Sequence, residues 1–254
     1  MTVADVSILG GGSMARAYAA ALEGHGVVVA ADGEELAGVI LLAFFSGKQT
    51  LAFLERAAIG NGSLLIDLAT QSLAEARACQ DATRRAGLRY LAGGATGGAG
   101  QVGTTSFTVL LGAVAPDESL PAWLPALGAI RTFDSVEKSV GAKLLHNLVL
   151  VLVNFALGAA LDLAERSQIP DMLGILAEGT AGRPLRAASA ARDRSAPPAS
   201  SYTGDLAAKD LRAIAASFPA LAALEGLDLE RLAGCYQELG QQPFTVVANR
   251  LFQG

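Results

Sequence analysis

The sequence is poor in cysteine and in charge, and each shortage excludes a class of protein. Its 254 residues include only two cysteines, Cys79 and Cys235, and these lack any metal-ligand spacing, so we expect reduced thiols and no metal site. Charged residues make up 17% and apolar residues 52%, which argues against a disordered chain and favours extensive buried helix surface. The formal net charge of −5 provides no basic surface for nucleic acid.

The chain also lacks an uninterrupted apolar segment of membrane-spanning length, although its mean hydropathy is +0.40. The most apolar stretch, residues 144–164, contains a histidine, two asparagines and an aspartate. Polar and ionisable groups at membrane depth are unfavourable, so we expect this stretch to be a helix buried in protein. The first residues, MTVADVSILGGG, have no basic region of the kind that opens a signal peptide. We therefore expect a cytoplasmic protein without a membrane partner.

Glycine, in contrast, is abundant, and the first glycines follow a predicted strand. The apolar run at residues 3–9 leads into Gly10, Gly12 and Ala15, and a helical pattern continues from there to Leu22. A strand, the spacing G-x-G-x-x-A and a helix together form the phosphate-binding turn of dinucleotide-binding folds. The amides at the helix N-terminus then meet the negative charge of a pyrophosphate. The predicted cofactor-binding residues of this turn are Gly10, Gly12, Ser13 and Met14.

A second strand is predicted at residues 27–31, and it ends at Asp32. Asp32 lies 17 residues beyond Ala15, close to the position of the acid that binds the adenosine ribose of NAD. An ordinary Asp-Gly turn explains the same residues equally well. Residues 34–37 leave room for only one or two helical turns before the next strand, at 39–45. The first half is therefore short by about one strand and one helix.

After residue 48 the pattern alternates between helices and strands. We predict helices at 49–58, 73–86 and 119–127, and strands at 64–67, 89–91, 106–111 and 129–133. The run 93–103, GGATGGAGQVG, contains six glycines in eleven residues. Backbone without side chains suits close contact with a ligand, and a flexible loop is the alternative interpretation.

One long helix is predicted at residues 139–168, where proline is absent. Thirty helical residues would span about 45 Å, which is longer than a small domain is wide. Near its start lie Lys143, His146 and Asn147, which share one helical face because they are spaced i, i+3 and i+4. An ammonium, an imidazole and an amide therefore converge on whatever faces that turn. The alternative is a solvated lysine beside an interior histidine.

The remaining residues are helical in pattern, with amphipathic segments at 205–217 and 229–239 and a final segment at 244–252. The expected fold is thus an α/β Rossmann-type domain at 1–135, shortened by about one βα unit, and an all-α domain at 136–254. The long helix 139–168 joins them.

The order of the motifs resembles the β-hydroxyacid dehydrogenase family, which includes 3-hydroxyisobutyrate and phosphogluconate dehydrogenases and is related to imine reductases. The resemblance covers nearly the whole chain. The family's motifs G-x-G-x-M-G/A, D-x-S-T, S-G-G, K-x-x-x-N and K-D-L are matched, the second without its serine, at residues 10–15, 67–70, 96–98, 143–147 and 209–211.

This resemblance implies a homodimer in which long helices from two subunits complete each site, with NAD or NADP as cofactor and a small-molecule substrate. It implies hydride exchange with a carbon that bears oxygen or nitrogen, which leaves an oxyanion or amine in need of a proton. By the same resemblance Lys143 supplies that proton and Asn147 orients the substrate. The substrate-binding residues are then Thr96, Gly97, Gly98 and His146, and Thr70 and Lys209 join the cofactor-binding set.

Two features leave alternatives open. No arginine follows the strand at 27–31 to hold a ribose 2′-phosphate, which favours NAD over NADP. The missing βα unit weakens the prediction that any dinucleotide binds. The alternatives are a non-redox enzyme that uses Lys143 for a cyclisation, dehydration or decarboxylation, and a scaffold protein without chemistry.

Overall fold

The computed structural model of the chain describes residues 4–30, 35–115, 119–178, 203–223 and 228–240. The chain divides into two compact units, residues 1–145 and 146–254. The division falls inside the long helix, whereas the sequence pattern places the change of architecture near residue 135. Each unit is described by itself below.

The first unit contains one six-stranded sheet. Its strands are β1 (Ser7–Leu9), β2 (Val39–Leu42), β3 (Leu64–Asp67), β4 (Arg89–Thr96), β5 (Thr108–Gly112) and β6 (Ala129–Thr132). They lie side by side in chain order, and all neighbours are parallel except β4 and β5. Helices α1 (Ser13–Glu23), α2 (Gly47–Leu54) and α3 (Leu73–Arg85) connect the parallel strands. The predicted Rossmann-type α/β domain is thereby confirmed.

The shortening of this domain is visible at β1. The strand predicted at 27–31 is reduced, in its described part, to a single bridge between Val29 and Val6 on the side of β1 away from β2. The Asp5 carboxylate holds this segment by accepting a hydrogen bond from the Val28 N–H, at 2.8 Å. The chain reaches β2 by Val39, on the opposite side of β1, so few residues are available for a further strand and helix. Asp32 lies outside the described residues.

The core of the first unit lies where the helices pack on the sheet. Helix α1 buries Ala15, Tyr18 and Leu22 along one face. Tyr18 meets Phe107 edge to face, with ring centroids 6.0 Å apart. Ala15, the last residue of the G-x-G-x-x-A spacing, is buried, and its small side chain lets the helix pack closely on the strand.

Two predicted elements of the first unit differ in the structure. The strand predicted at 89–91 continues as β4 to Thr96, through the first part of the glycine run. The helix predicted at 119–127 is only a short 3-10 helix, Leu124–Leu127. Pro121 and Pro125 lack amide protons, so a regular α-helix over those residues would lose hydrogen bonds.

Helix α4 (Val136–Arg166) is the longest element, with 31 residues. Judged by length and composition alone, it is the one helix among the described residues that could cross a membrane. Only 28% of its most apolar window is buried within the chain, and Val149 and Leu163 are more than half exposed. Within the described residues, most of this apolar surface is therefore uncovered.

The rest of the second unit is helical where it is described. Its helices are α5 (Met172–Glu178), α6 (Gly204–Ser217) and α7 (Leu229–Leu239), so the amphipathic helices predicted at 205–217 and 229–239 are present. Helices α6 and α7 are linked by Gln237, which accepts from Arg212 and donates to Asp205. The segment predicted as a helix at 244–252 lies outside the described residues.

Candidate active site

The glycine turn between β1 and α1 has the geometry of an anion-binding loop. Gly10 has a φ of +142°, and a Cβ at this position would lie 2.5 Å from the Ala43 carbonyl oxygen, so only glycine fits. Gly12 is the N-cap of α1, offers no side-chain cap, and has nothing within 4 Å of the place a Cβ would occupy. Since Gly11, Gly12 and Ser13 are exposed and no side chain caps the helix, the N-terminus of α1 is accessible to an anion such as a pyrophosphate.

Three side chains surround this turn in different ways. Ser13 is exposed at the start of α1, whereas Met14 is half-buried and packs against the core of the first unit. Arg16, one turn into the helix, donates from Nη1 to the Gly11 carbonyl oxygen at 2.9 Å. Sequence reasoning missed Arg16, although a cation in the first turn after a phosphate-binding loop is a usable signal.

At the end of β3, the buried Asp67 carboxylate shapes the loop that follows. It accepts hydrogen bonds from the Ala69 N–H, the Gln71 amide and the Tyr90 hydroxyl, each at 2.9 Å. Burial raises the pKa of Asp67 to about 6, and these hydrogen bonds partly offset the rise. The hydrogen bond to the Ala69 N–H turns the chain just before Thr70. Thr70 is half-buried and lies at the carboxyl edge of the sheet. Asp67 therefore acts on the predicted cofactor residue Thr70 through the backbone.

The first glycines of the run 93–103 serve the packing of α4 on β4. A Cβ on Gly93 would lie 2.4 Å from the Leu110 carbonyl oxygen of β5 and 2.9 Å from the Cβ of Ser139 on α4, whose hydroxyl donates to the Ala92 carbonyl. Gly94 has a φ of +122°, and a Cβ there would lie 3.1 Å from Cγ of Lys143. The bare backbone thus receives a helix, and the aliphatic stem of Lys143 lies directly across strand β4. Gly93 and Gly94 therefore belong to a regular strand rather than to a flexible loop, and their contact with a ligand stays a prediction.

The predicted substrate loop follows two residues after Gly94 on the same strand. Thr96 ends β4, and Gly97 has a φ of +114° where a Cβ would lie 2.8 Å from the Phe107 ring. The Gly98 N–H donates to the Gln101 side chain at 2.9 Å, so this amide is held within the loop. Lys143 therefore lies across β4, and the loop at 96–98 continues from the end of the same strand.

In the second unit, Asn147 is anchored by a carboxylate from α6. The Asn147 amide donates to Oδ2 of Asp210 at 2.6 Å, and its Oδ1 lies 3.1 Å from Nδ1 of His146. Asn147 and Asp210 are each 1% exposed. Both ends of the amide are engaged by protein, which favours an orienting role for Asn147 over direct substrate contact. His146, one position earlier, is exposed.

The predicted cofactor residue Lys209 belongs to the same cluster. Its Nζ lies 3.2 Å from Oδ1 of Asp210, and its side chain is mostly buried. The lysine thus compensates the buried negative charge of Asp210. The K-D-L motif contains Asp210, but no role was predicted for this residue. An aspartate on the apolar face of an amphipathic helix needs a polar partner, so its pairing could have been predicted from the sequence.

Comparisons with known proteins place this geometry in a known fold. No protein-family model matches the sequence, and no curated protein does either. Solved structures match over nearly the full length. A 3-hydroxyisobutyrate dehydrogenase from Salmonella typhimurium has a TM-score of 0.79 at 20% identity, over 96% of this chain and 98% of that chain.

Two further structures agree. The Mycobacterium tuberculosis 3-hydroxyisobutyrate dehydrogenase with L-serine has a TM-score of 0.74 at 19% identity, over 99% of this chain and 100% of the other. A reductive aminase from Aspergillus terreus, in complex with NADPH and ethyl levulinate, has a TM-score of 0.59 at 15% identity, over 97% and 98%. The chain therefore has the fold of β-hydroxyacid dehydrogenases and imine reductases, as the order of its motifs predicts.

Proposed function

We propose that this chain, with its β-hydroxyacid dehydrogenase fold, is an oxidoreductase. It would exchange hydride between a nicotinamide cofactor and a small hydroxy acid, keto acid or imine. The observation that carries the proposal is the position of Lys143 across Gly94 of β4, in a fold whose glycine turn is open at Gly12. Ligands of open α/β sheets bind at the carboxyl ends of the strands, where β4 leads to the loop at 96–98.

The residues of the first unit fit the phosphate part of such a cofactor. The amides at Gly12 and Ser13 would hold the pyrophosphate, with Arg16 beside them, and Thr70 and Thr96 lie at the carboxyl edge along which the rest would extend. When bound, the nicotinamide ring supplies or accepts the hydride. The reductive aminase with the same fold is in complex with NADPH. This fit favours the redox proposal, and no comparison supports the non-redox alternative.

We assign the proton transfer to Lys143. Reduction of a carbonyl or imine carbon leaves an oxygen or nitrogen that requires a proton, and the ammonium of Lys143 would donate it as a general acid. In the oxidative direction the neutral amine would accept the proton. His146 and Asn147 follow about one turn later along α4. We assign substrate contact to His146, and we propose that Asn147 holds the His146 ring in the orientation for that contact.

Binding and turnover test this proposal together. We expect NADH or NADPH to bind in calorimetry, and Gly12→Val to abolish binding without unfolding, because the new side chain would fill the open space beside the turn. With a panel of small keto acids and cyclic imines, Lys143→Met should lower kcat by about 100-fold or more. Lys138→Met is the matched control, since Lys138 is exposed on the same helix. Wild-type turnover in Lys143→Met would refute the assignment.

We also propose that the chain works as a cytoplasmic homodimer. The exposed apolar side chains of α4, among them Val149 and Leu163, support a second copy as their cover. Light scattering should show a dimer at micromolar concentration, and Val149→Asp should weaken it. A folded, stable monomer of the wild type would contradict this proposal.

A further inference from the structure

A cavity of about 530 Å³ lies beside the glycine turn, inside the first unit. Its walls come from the turn itself, from the end of β2 and from α2. The lining residues are Gly10, Gly11, Phe44, Gln49, Ala52, Phe53, Arg56 and Ala57. The cavity therefore adjoins the glycine turn at Gly10 and Gly11.

Two aromatic rings shape the cavity. Phe44 and Phe53 lie with ring centroids 5.7 Å apart and planes tilted by 55°. Phe44 follows Ala43, whose carbonyl oxygen closes on Gly10, so this wall adjoins the turn directly. The flat faces of these aromatic rings suit the stacking of a purine base.

Among the described residues that line the cavity, Arg56 is the only one with a charge. Its Nε donates to the Ala52 carbonyl at 2.9 Å, which holds the guanidinium against α2. The terminal amino groups of the guanidinium are then the donors available to an anion, and a guanidinium binds a phosphate through two parallel hydrogen bonds. Arg16 already lies on Gly11, at the pyrophosphate end. Arg56, on a different element, would meet a second phosphate.

We propose that this cavity takes the adenosine half of the cofactor and that Arg56 binds a phosphate monoester on the adenosine ribose, so that NADPH binds more tightly than NADH. The inference rests on the proposed function, and it reverses the preference expected from sequence. NAD was expected to be preferred because no arginine follows the strand predicted at 27–31. Here the described sheet is reduced to a single bridge at that position, and the cation comes from the turn just after α2, beyond the next strand.

Calorimetry with four probes tests the proposal without any turnover. The probes are NADPH, NADH, 2′-phospho-ADP-ribose and ADP-ribose. In the wild type we expect each phosphorylated probe to bind at least about tenfold more tightly than its partner, as a charge-assisted contact provides. Arg56→Gln should remove this difference while leaving the affinity for NADH unchanged. Arg85→Gln, an exposed arginine on α3, is the control for net charge and should change nothing.

The outcomes separate this assignment from the proposed function. Phe53→Ala should weaken all four probes, because each carries the adenine. Equal binding of both members of each pair would overturn the role of Arg56 alone, as would an equal loss for all probes in Arg56→Gln, which would identify a pyrophosphate contact. Failure of the wild type to bind any probe would overturn the proposed function and this assignment together.

Discussion

Among the described residues two carboxylates are fully buried, one in each unit, and their surroundings differ. Asp67, in the first unit, is enclosed by neutral donors from Ala69, Gln71 and Tyr90. Asp210, in the second unit, accepts from the Asn147 amide and also has an ammonium, that of Lys209, within 3.2 Å. Burial is the same, but only one of the two negative charges has a cation beside it.

The difference shows how an identical side chain acquires different tasks. Without a cation, Asp67 has a pKa raised by burial to about 6, so it gains a proton under mildly acidic conditions while it shapes the loop before Thr70. Asp210, with its cation, fixes the orientation of an amide on the helix that carries Lys143. The first carboxylate is therefore a structural group whose effect on stability depends on pH. For the second we propose a positioning role, because it holds the Asn147 amide.

The largest expected effect comes from removing the carboxylate that has a cation. Asp210→Ala would leave the Lys209 ammonium and the Asn147 amide buried without their partner. Breaking a buried charge pair in this way costs about 3–5 kcal/mol of unfolding free energy, measurable by urea denaturation. Asp210→Asn is the matched variant, and it should cost less because it keeps an acceptor oxygen for Asn147.

The same pair of variants tests the positioning role. If Asp210 orients Asn147, Asp210→Asn should raise KM or lower kcat at a temperature where it remains folded, while Lys138→Met should not. A loss below about 1 kcal/mol in Asp210→Ala would contradict the view that the pair is buried and coupled.

A smaller effect, dependent on pH, is expected for the carboxylate without a cation. The folded-state pKa of Asp67, about 6, lies above the ordinary value of 3.8, so the folded state binds the proton more tightly than the unfolded chain. The associated stability is fully present below about pH 4 and is lost as the pH rises to about 6. About two pKa units correspond to about 3 kcal/mol.

Asp67→Asn is the variant that isolates this contribution. It cannot titrate, so the difference in unfolding free energy between wild type and variant should change between pH 4 and pH 7 and remain constant above. The lost acceptor adds an offset that is the same at every pH. A difference that does not vary with pH would show that Asp67 keeps an ordinary pKa.

The smallest expected effect concerns one of the neutral donors that surround Asp67. Tyr90→Phe removes the hydroxyl that donates to Asp67 at 2.9 Å and should cost about 1 kcal/mol near pH 7. The cost should decrease below about pH 5, because the protonated carboxyl needs fewer donors than the carboxylate. Thermal unfolding at two pH values would measure this, and an unchanged cost at the lower pH would contradict it.

Much of the first unit could be predicted from sequence because its signals are local. The turn at 10–15 depends on glycine conformations and a buried alanine, which a short pattern contains. The shortage of a βα unit could be counted from the residues between the strands at 27–31 and 39–45. The long helix could be recognised because it lacks proline, and it begins only three residues before its predicted start.

The site could be predicted only in part, because its remaining contacts join distant parts of the chain. Glycines at 93 and 94 have low strand propensity, yet β4 continues through them, paired with β5 and packed closely against Leu110, Ser139 and Lys143. Asp210 lies 63 positions from Asn147, and no local pattern connects them. Arg56 lies 25 positions after the end of the strand predicted at 27–31, so no local pattern at that strand includes it.

The contact between Gly94 and Lys143 has a further consequence for the lysine as a reagent. A free lysine side chain samples many rotamers, and ordering one costs about 2 kcal/mol of conformational entropy. Here the strand leaves a groove with the width of one missing methyl group, and the stem of Lys143 lies in it. The restriction of the stem is completed on folding, before any substrate arrives. Positions 94 and 143 are therefore coupled: a side chain at 94 would be strained by the φ of +122° and would push the stem aside by a few tenths of an ångström.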